Sequence, residues 1–383
     1  GVRARVRRPR RRTQDLQRHN LEAETLLRQY ATQTDWLRTR VERAVGQNSS
    51  LRCAAPAGEP LDGHFPCATG LPKASLLAAD GSQIIPNPHA RIEYGVVNLG
   101  VFQLCADEAI PPREIVKSTL LDNHQLYNEN GLITQDGISL MRDLAERRFL
   151  AEQARSMHGP LVTLTDGPLE IFYGGKNNDS SEFKKGFGEY REVLLELSDL
   201  GVINAGYIDR PRYDLVVRLL ELAQMAPEDL KDAGRLRPFA GVRDRDLFKE
   251  ILLPAERSAI FHVQSPTAHD FQGLLSLHFF YLNVGQEDRP YLARVEIPAW
   301  VADNPASVDL LQATLVEQCR ILGARPYPYA LHRAHEIALI GYAEAEQLEW
   351  MLLGEMMRRG IPAGELSNKQ YHKDLQGRTR YPA

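Results

Sequence analysis

Two short hydrophobic segments, each followed by an Asp-Gly pair, constrain the fold of this chain more than any other feature. Residues 75–80 read Ser-Leu-Leu-Ala-Ala-Asp and residues 161–166 read Leu-Val-Thr-Leu-Thr-Asp, and a glycine follows each of them. Apolar runs of this length that stop at turn residues are typical of buried strands. We therefore predict two buried strands, each ending in a tight turn that begins at its aspartate.

Strand and helix patterns alternate along the rest of the chain. Further strands are predicted at 91–104, 201–208, 278–285 and 291–298, and helices at 138–157, 211–225, 306–322 and 330–358. This alternation predicts an α/β fold in which a central sheet is flanked by helices. The 383 residues suffice for one large domain or two ordinary ones.

The aspartates at the two strand ends, Asp80 and Asp166, are the main candidate functional residues. Sites in such sheets collect at the carboxyl ends of the strands, where two neighbouring carboxylates would repel each other unless a cation neutralises them. Oxygen ligands suit Mg²⁺ or Mn²⁺, and these ions support phosphodiester cleavage. The alternative is that each Asp-Gly pair only closes a turn.

The helix between the two strands and a segment near the C-terminus offer further candidate ligands. Glu146 or Glu152 could complete a metal site, or could be a solvated residue on a helix face rich in arginine. His335 could bind a metal or transfer a proton, or could be structural. His332 and Glu336 have the spacing of an i,i+4 helical pair.

The first 73 residues differ in composition from the remainder. Residues 1–12 contain seven arginines and form a basic tail, which is expected to be disordered in isolation and to be either a DNA-binding arm or a solvated tail. Residues 13–73 form a helical leader and linker, with an amphipathic helix or helical hairpin up to residue 48 and a Pro- and Gly-rich linker after it. The remaining residues, 74–383, contain every candidate ligand.

Charge and cysteine content narrow the functional classes. The formal net charge is -4, so contacts with nucleic acid must come from a local basic patch. No run of about 18 apolar residues could span a membrane, and no apolar stretch follows the basic N-terminus. None of the four cysteines forms a Cys-x-x-Cys pair. We expect a cytoplasmic protein with reduced thiols, no zinc site and, without a Walker A motif, no ATPase activity of its own.

Four motifs, in the family's order, resemble those of the NurA family. They are Asp80-Gly81-Ser82-Gln83, Arg142-x-x-x-Glu146, Leu164-Thr165-Asp166-Gly167-Pro168-Leu169 and Tyr327-Pro328-x-x-Leu331-x-x-Ala334-His335. The resemblance implies a ribonuclease-H-like fold, in which the central sheet is mixed and flanked by helices, with residues 74–383 as a NurA-type nuclease domain. It also implies a toroidal homodimer that cleaves DNA with Mn²⁺ or Mg²⁺. The implied partner is a hexameric HerA-type ATPase that translocates DNA, and the implied role is DNA end resection in double-strand break repair.

The resemblance also implies roles for individual residues. The implied catalytic residues are Asp80, Glu146, Asp166, His335 and Tyr327, and all except Tyr327 would be metal ligands. Glu152 is the alternative to Glu146 if the register of this helix differs from that in the family motif. His335 is either a metal ligand or the residue that transfers a proton. The implied DNA contacts are Ser82, Arg142, Arg147 and Lys176.

A two-fold dimer could enclose a basic channel that leads to the acidic centre. Its candidate residues are Arg142, Arg147, Arg148, Lys176, Lys184 and Lys185. An apolar stripe of the leader (Leu26, Tyr30 and Leu37) either contacts a partner or caps its own subunit. Two other functions stay open, namely a catalytically silent ribonuclease-H-like subunit that clamps DNA or recruits a translocase, and another ribonuclease-H-like enzyme such as an RNase or a resolvase.

Overall fold

The computed structural model describes residues 2–70, 73–87, 92–107, 109–128, 131–171 and 181–361, with residues 2–13, 123, 128, 181 and 182 described for their backbone only. The helices are α1 (Val2–Gln29), α2 (Thr34–Gln47), α3 (Asn123–Leu126), α4 (Gln135–Ala154), α5 (Ser181–Asp199), α6 (Leu215–Gln224), α7 (Asp244–Phe248), α8 (Ala299–Ala302), α9 (Pro305–Ile321), α10 (Tyr329–Ala338) and α11 (Tyr342–Arg358). The strands are β1 (Cys53–Pro56), β2 (His64–Phe65), β3 (Ser75–Ile84), β4 (Val96–Leu104), β5 (Arg113–Leu120), β6 (Tyr127–Asn128), β7 (Gly131–Leu132), β8 (Leu161–Asp166), β9 (Ile203–Ile208), β10 (Arg257–Ser258), β11 (Phe261–Gln264), β12 (Leu277–Asn283) and β13 (Leu292–Pro298). None of these helices is long and apolar enough to cross a membrane.

One mixed sheet organises the molecule. Its strand order is β1-β11-β12-β13-β9-β8-β3-β4-β5, and β10 joins it by pairing with β12 and β2. Strand β8 runs parallel to both β3 and β9, whereas the other pairings between described strands of this sheet are antiparallel. An antiparallel β5-β4-β3 meander followed by parallel β8 and β9 is the ribonuclease-H-like arrangement. The predicted α/β fold with a mixed central sheet is therefore confirmed.

Helices cover both faces of this sheet. On one face, apolar side chains of α4 and α5 pack against those of β3, β4 and β8. On the other face, α9 and α10 pack against the centre of the sheet. The segment predicted as a single helix over 330–358 is two helices, α10 and α11, because the chain leaves helical geometry at Leu339 and α11 starts after the N-cap residue Gly341.

The N-terminal segments belong to the same fold. Helix α1 begins at Val2, so the arginine-rich segment, expected to be disordered in isolation, has a helical backbone here. Arginine is a good helix former, and the helix continues into residues that pack on the sheet domain. The predicted linker over 49–73 is wrong in part, because β1 and β2 lie in it and pair with β11 and β10.

The apolar stripe of the leader packs on its own subunit. Leu26 and Leu37 are buried and Tyr30 is partly buried, in the same cluster as the apolar side chains of α6. A helix lowers its free energy by burying such a stripe, and here the partner surface lies in the same chain. The stripe is therefore not a free surface for dimer or translocase contacts.

A buried carboxylate fixes the start of helix α6. Asp244 accepts hydrogen bonds from the backbone N–H groups of Val216 (3.0 Å) and Val217 (2.9 Å) and from the hydroxyl of Tyr281 (2.8 Å). The N–H groups of a first helical turn have no partner within the helix, so an acceptor must come from elsewhere. Burial raises the pKa of Asp244 to about 6. One distant side chain thus links α6, α7 and β12.

Asp244→Ala should lower the free energy of unfolding by about 2–4 kcal/mol, because two backbone N–H groups and a hydroxyl would lose their acceptor in the interior. The matched control is Asp246→Ala in the same short helix, where the side chain is 49% exposed and the change should stay within about 0.5 kcal/mol. Urea unfolding followed by circular dichroism measures both. Equal stability of the two variants would contradict the role given to Asp244.

Candidate active site

Three neighbouring parallel strands each lead to an aspartate. Ala79 of β3 pairs with Thr165 of β8, so the next residues on these strands are Asp80 and Asp166. Strand β9 ends at Ile208 and is followed by Asp209. The sheet therefore delivers carboxylates from three strands to one edge, as predicted for the first two.

The two Asp-Gly pairs differ in local structure. At Gly167 the chain turns with a φ of +94°, a conformation that favours glycine, and its N–H donates to the carbonyl of Tyr207 at 2.8 Å. The turn predicted after Asp80 is wrong. Strand β3 continues to Ile84, because β4 continues the antiparallel ladder after the parallel pairing with β8 has stopped.

The pKa of Asp166 is changed by its burial and by the polar side chains around it. Burial raises its pKa, and the negative charges of Asp80 and Asp209 raise it further. A hydrogen bond from the Tyr327 hydroxyl and the nearby ring of His335 act in the opposite direction. Tyr327 also packs edge-on against the ring of Tyr207, the residue paired with Asp166 in β9. Four neighbouring side chains, two acidic and two that oppose them, thus change the pKa of the Asp166 carboxyl group.

Helix α10 approaches the sheet closely at one glycine. A Cβ atom on Gly100 of β4 would lie 2.6 Å from the backbone nitrogen of Ala338 and 2.7 Å from the carbonyl oxygen of Ala334. The last carbonyl of the helix, that of Ala338, accepts hydrogen bonds from Ser82 (2.5 Å) and Asn98 (2.8 Å). These donors satisfy a helix end that would otherwise lack partners. Together they fix both the distance and the position of α10 on β3 and β4.

This packing brings His335 to Asp80. The Nδ1 atom of His335 donates to Oδ2 of Asp80 at 2.6 Å. The His335 side chain is 62% exposed and that of Asp80 is 19% exposed, so the pair faces solvent on the imidazole side. A carboxylate on one ring nitrogen fixes the tautomer and leaves Nε2 available.

Glu146 reaches the same strand end from α4. Its side chain lies against Gly81, where a Cβ atom would be 2.7 Å from Glu146 Oε1. Burial raises the pKa of Glu146 to about 8, with Asp143 and Asp80 adding to the shift and Arg147 and Arg142 opposing it. The Arg142 guanidinium lies 3.2 Å from the Glu146 carboxylate. Glu146 is therefore a buried carboxyl group beside an acidic strand end.

The sequence matches the family model of the NurA domain over residues 74–340. The chain belongs to the NurA family. A search among curated proteins finds no significant match. Solved structures similar to it include the NurA nuclease from Sulfolobus solfataricus, with 12% identity, coverage of 77% of this chain and 88% of that chain, and a TM-score of 0.49. The catalytic domain of human endonuclease V is also similar, with 13% identity, coverage of 83% and 98%, and a TM-score of 0.33.

The NurA motifs account for the residues that the fold brings together. Asp80, Asp166, His335 and Tyr327 lie together where the parallel pairing of β3 and β8 stops, and Glu146 lies behind them on α4. The alternative ligand Glu152 lies elsewhere, because its carboxylate pairs with Lys117 of β5 at 3.0 Å. The two glutamates are separated by about 1.7 turns of helix, so they face different surroundings, and the position of Glu146 beside Gly81 favours it as the helical ligand.

Several predicted DNA contacts of the NurA domain have other partners. Arg147 is wrong as a surface contact, because it is buried and donates to the carbonyls of Asp143 (2.9 Å) and Pro168 (3.1 Å). Arg142 is partly exposed but paired with two carboxylates, and the Ser82 hydroxyl donates to α10. Of the other basic candidates, Arg148 pairs with Glu189. Lys184 and Lys185 are exposed on α5, and Lys176 lies outside the described residues.

Asp209 is the residue that sequence reasoning missed. Its signal was present, since the predicted strand over 201–208 is followed by an aspartate just as the other two strands are. No glycine follows Asp209, and the search for Asp-Gly pairs passed over it. In the fold its carboxylate accepts a hydrogen bond from the Tyr291 hydroxyl at 2.7 Å.

The donor chemistry of the site fits a hard divalent cation, although its side chains are not arranged around one. Among the described residues, no three His, Cys, Asp or Glu side chains stand together as a ready metal site. The negative charge of Asp80 nevertheless raises the pKa of both Asp166 and Glu146, which is the electrostatic state that a bound cation relieves. Binding would require these side chains to rotate towards a common point.

Gly100→Ala should destabilise the protein by about 1–3 kcal/mol and separate His335 from Asp80, because the new methyl group meets backbone atoms of α10. Gly188→Ala is the matched control, since this exposed glycine of α5 has nothing within 4 Å of its Cβ position. The control should be neutral or stabilising by up to about 1 kcal/mol. Urea unfolding and NMR of the His335 ring measure the two effects, and an unperturbed ring in Gly100→Ala would contradict the packing argument.

In metal-free buffer the protein should lose stability as the pH rises from about 5 to about 8. Glu146 has a pKa of 4.5 as a free side chain and about 8 in the fold, so the folded state holds more protons than the unfolded state in this window. Glu146→Gln should reduce this loss, whereas the exposed control Glu192→Gln on α5 should not. Melting temperatures at pH 5, 6.5 and 8 with EDTA provide the comparison, and parallel profiles for all three proteins would disprove the assignment.

Proposed function

We propose that this NurA-family chain is a metal-dependent DNA nuclease. The observation that carries the proposal is the meeting of Asp80, bonded to His335, with Asp166 where the parallel pairing of β3 and β8 stops. Family membership supports a nuclease, and the donor set supports a metal-assisted hydrolysis of phosphodiesters. DNA as the substrate rests on the NurA resemblance.

The cation in this proposal is Mn²⁺ or Mg²⁺, held by Asp80, Glu146 and Asp166, with His335 as a further ligand or as the proton-transfer group. Such an ion supplies positive charge to the phosphate and activates water. Glu146 would lose its proton when the cation binds, because the Glu146 carboxyl group has a pKa of about 8 in the metal-free fold.

The protein groups have separate tasks in this reaction. Asp80 orients the imidazole of His335 through Nδ1, so that Nε2 can give or take a proton at the exposed side of the pair. The Tyr327 hydroxyl donates to Asp166 and keeps this carboxylate in place. Arg147 holds the carbonyl of Pro168, and the carboxylate of Glu296 accepts the N–H of Leu169 at 2.9 Å, so the loop after Asp166 is fixed from two sides.

The assembly implied by the resemblance is part of the proposal. A homodimer would enclose the DNA path, and a HerA-type hexameric ATPase would feed DNA to it during end resection and double-strand break repair in the cytoplasm. The apolar stripe of the leader helices packs on its own subunit, so this stripe is not the dimer interface.

Cleavage of labelled single-stranded and double-stranded DNA should occur with Mn²⁺ or Mg²⁺ and stop with EDTA. Asp80→Asn should reduce the rate at least about 100-fold, because it removes a ligand charge and the anionic partner of His335. Asp199→Asn at the exposed end of α5 is the matched control and should keep the wild-type rate.

Comparing DNA with RNA and with an RNA–DNA hybrid as substrates separates the proposed DNA nuclease from the other two possible functions. Equal or faster cleavage of RNA or of an RNA–DNA hybrid would assign the site to another ribonuclease-H-like activity. DNA binding without cleavage under any of these metal conditions would assign the chain to a catalytically silent DNA-clamping subunit. Full activity of Asp80→Asn would remove Asp80 from the reaction.

A further inference from the structure

A solvent-accessible cavity adjoins the candidate active site on the side of β9. Its volume of about 820 Å³ lies within the usual range of ligand clefts, roughly 300–1,000 Å³. Asp209 and Tyr327 line it, and the same two side chains act on the Asp166 carboxyl group. The cavity is therefore continuous with the surroundings of the carboxylate cluster.

Four arginines line this cavity, and they come from four different parts of the chain. Arg210 follows β9, Arg289 lies between β12 and β13, Arg320 is near the end of α9, and Arg325 lies between α9 and α10. Asp209 is the one acidic side chain in the lining, so the cavity is strongly basic in a chain whose net charge is -4. We call this cavity the arginine cleft.

The arginines of the cleft are exposed, and none of the four forms an ion pair with a carboxylate of the described residues. Other arginines near the site do form such pairs, for example Arg142 with Asp143 and Arg333 with Glu114. Even Asp209, the adjacent acid, accepts its hydrogen bond from Tyr291 rather than from an arginine. The guanidinium groups of the cleft are thus free to bind a ligand.

The backbone of the cleft is strained at two positions. Among the described residues, two that are not glycine have a positive φ, Arg210 at +46° and Ala255 at +66°, and both line the cleft. Such conformations cost free energy and tend to persist where the surrounding structure uses the position. At Arg210 the strained turn directs the chain away from the end of β9 directly after Asp209.

We propose that the arginine cleft binds phosphate groups of one polynucleotide strand, next to the bond that is cleaved. The guanidinium group presents parallel N–H donors that match phosphate oxygens, and several of them along a groove track a phosphodiester backbone. The inference rests on the proposed function for the identity of the strand. It explains how an acidic site on an acidic chain holds a polyanion, because attraction is supplied beside the carboxylates rather than at them.

The test is binding of a fluorescent single-stranded DNA 20-mer to the full chain in EDTA, measured by anisotropy between 50 and 200 mM salt. The double variant Arg320→Gln/Arg325→Gln should raise Kd about 10-fold or more. It should also reduce the slope of log K against log salt by about 1.4, since each contacted phosphate contributes about 0.7 for single strands. The double control Arg43→Gln/Arg191→Gln changes two exposed arginines outside the cleft by the same charge and should leave both values unchanged.

A second variant keeps the charge. Arg320→Lys/Arg325→Lys should recover most of the salt slope but not the full affinity, because lysine lacks the paired donors of arginine. All variants should have the same melting temperature as the wild type, since the changed side chains are exposed. Equal Kd and slope for the cleft variant and the control would overturn the inference.

Failure of the cleft and failure of the nuclease proposal have different signatures. If the wild type cleaves DNA and the cleft variant binds like the control, the cleft is not a strand-binding site and the nuclease proposal stands. If the cleft variant loses binding but the wild type cleaves nothing with Mn²⁺ or Mg²⁺, the cleft stands as a strand-binding site and the nuclease proposal falls.

Discussion

Helix α10 lies against β3 and β4 at a distance that a side chain on Gly100 would prevent. Its terminal carbonyl, on Ala338, is held by Ser82 and Asn98 from the two strands below it. The rest of the site depends on this contact. His335 on the same helix meets Asp80 only because the helix is this close, and Tyr327, just before the helix, reaches Asp166 from the same position.

Electrostatic repulsion inside the site is balanced in part by the fold. The carboxyl groups of Asp166 and Glu146 have raised pKa values, chiefly because they are buried and also because neighbouring acids face them. Arg142 and Arg147 oppose this effect for Glu146, yet Arg147 is itself engaged by backbone carbonyls. The remaining imbalance is one that a bound cation relieves, and it is the physical reason for the metal dependence proposed above.

The negative and positive charges near the site lie in different parts of the structure: the aspartates lie in or next to strands, and the arginines of the cleft lie mostly in loops. The aspartates lie within or next to central strands, where the ladder fixes the backbone: Asp80 is inside β3, Asp166 is the last residue of β8 and Asp209 follows β9. The arginines of the cleft lie in loops and near the end of α9, where the guanidinium groups can follow a ligand. In the reaction proposed above, a polyanion is attracted at one surface and reacts at another, although the net charge of the chain is negative.

The sequence by itself determined the two strands that lead to Asp80 and Asp166 and the helix that bears Glu146, because hydrophobic periodicity is a local property. It also supplied the NurA motifs, and the mixed sheet was predicted from that resemblance. Tertiary structure alone decided that Glu146 rather than Glu152 faces the site, that Arg147 is buried, that β3 continues past Asp80 and that the linker supplies strands. It also brought together Asp209 and the four arginines of the cleft. Each of these depends on which surfaces meet across large separations in sequence, and that information is absent from any local pattern.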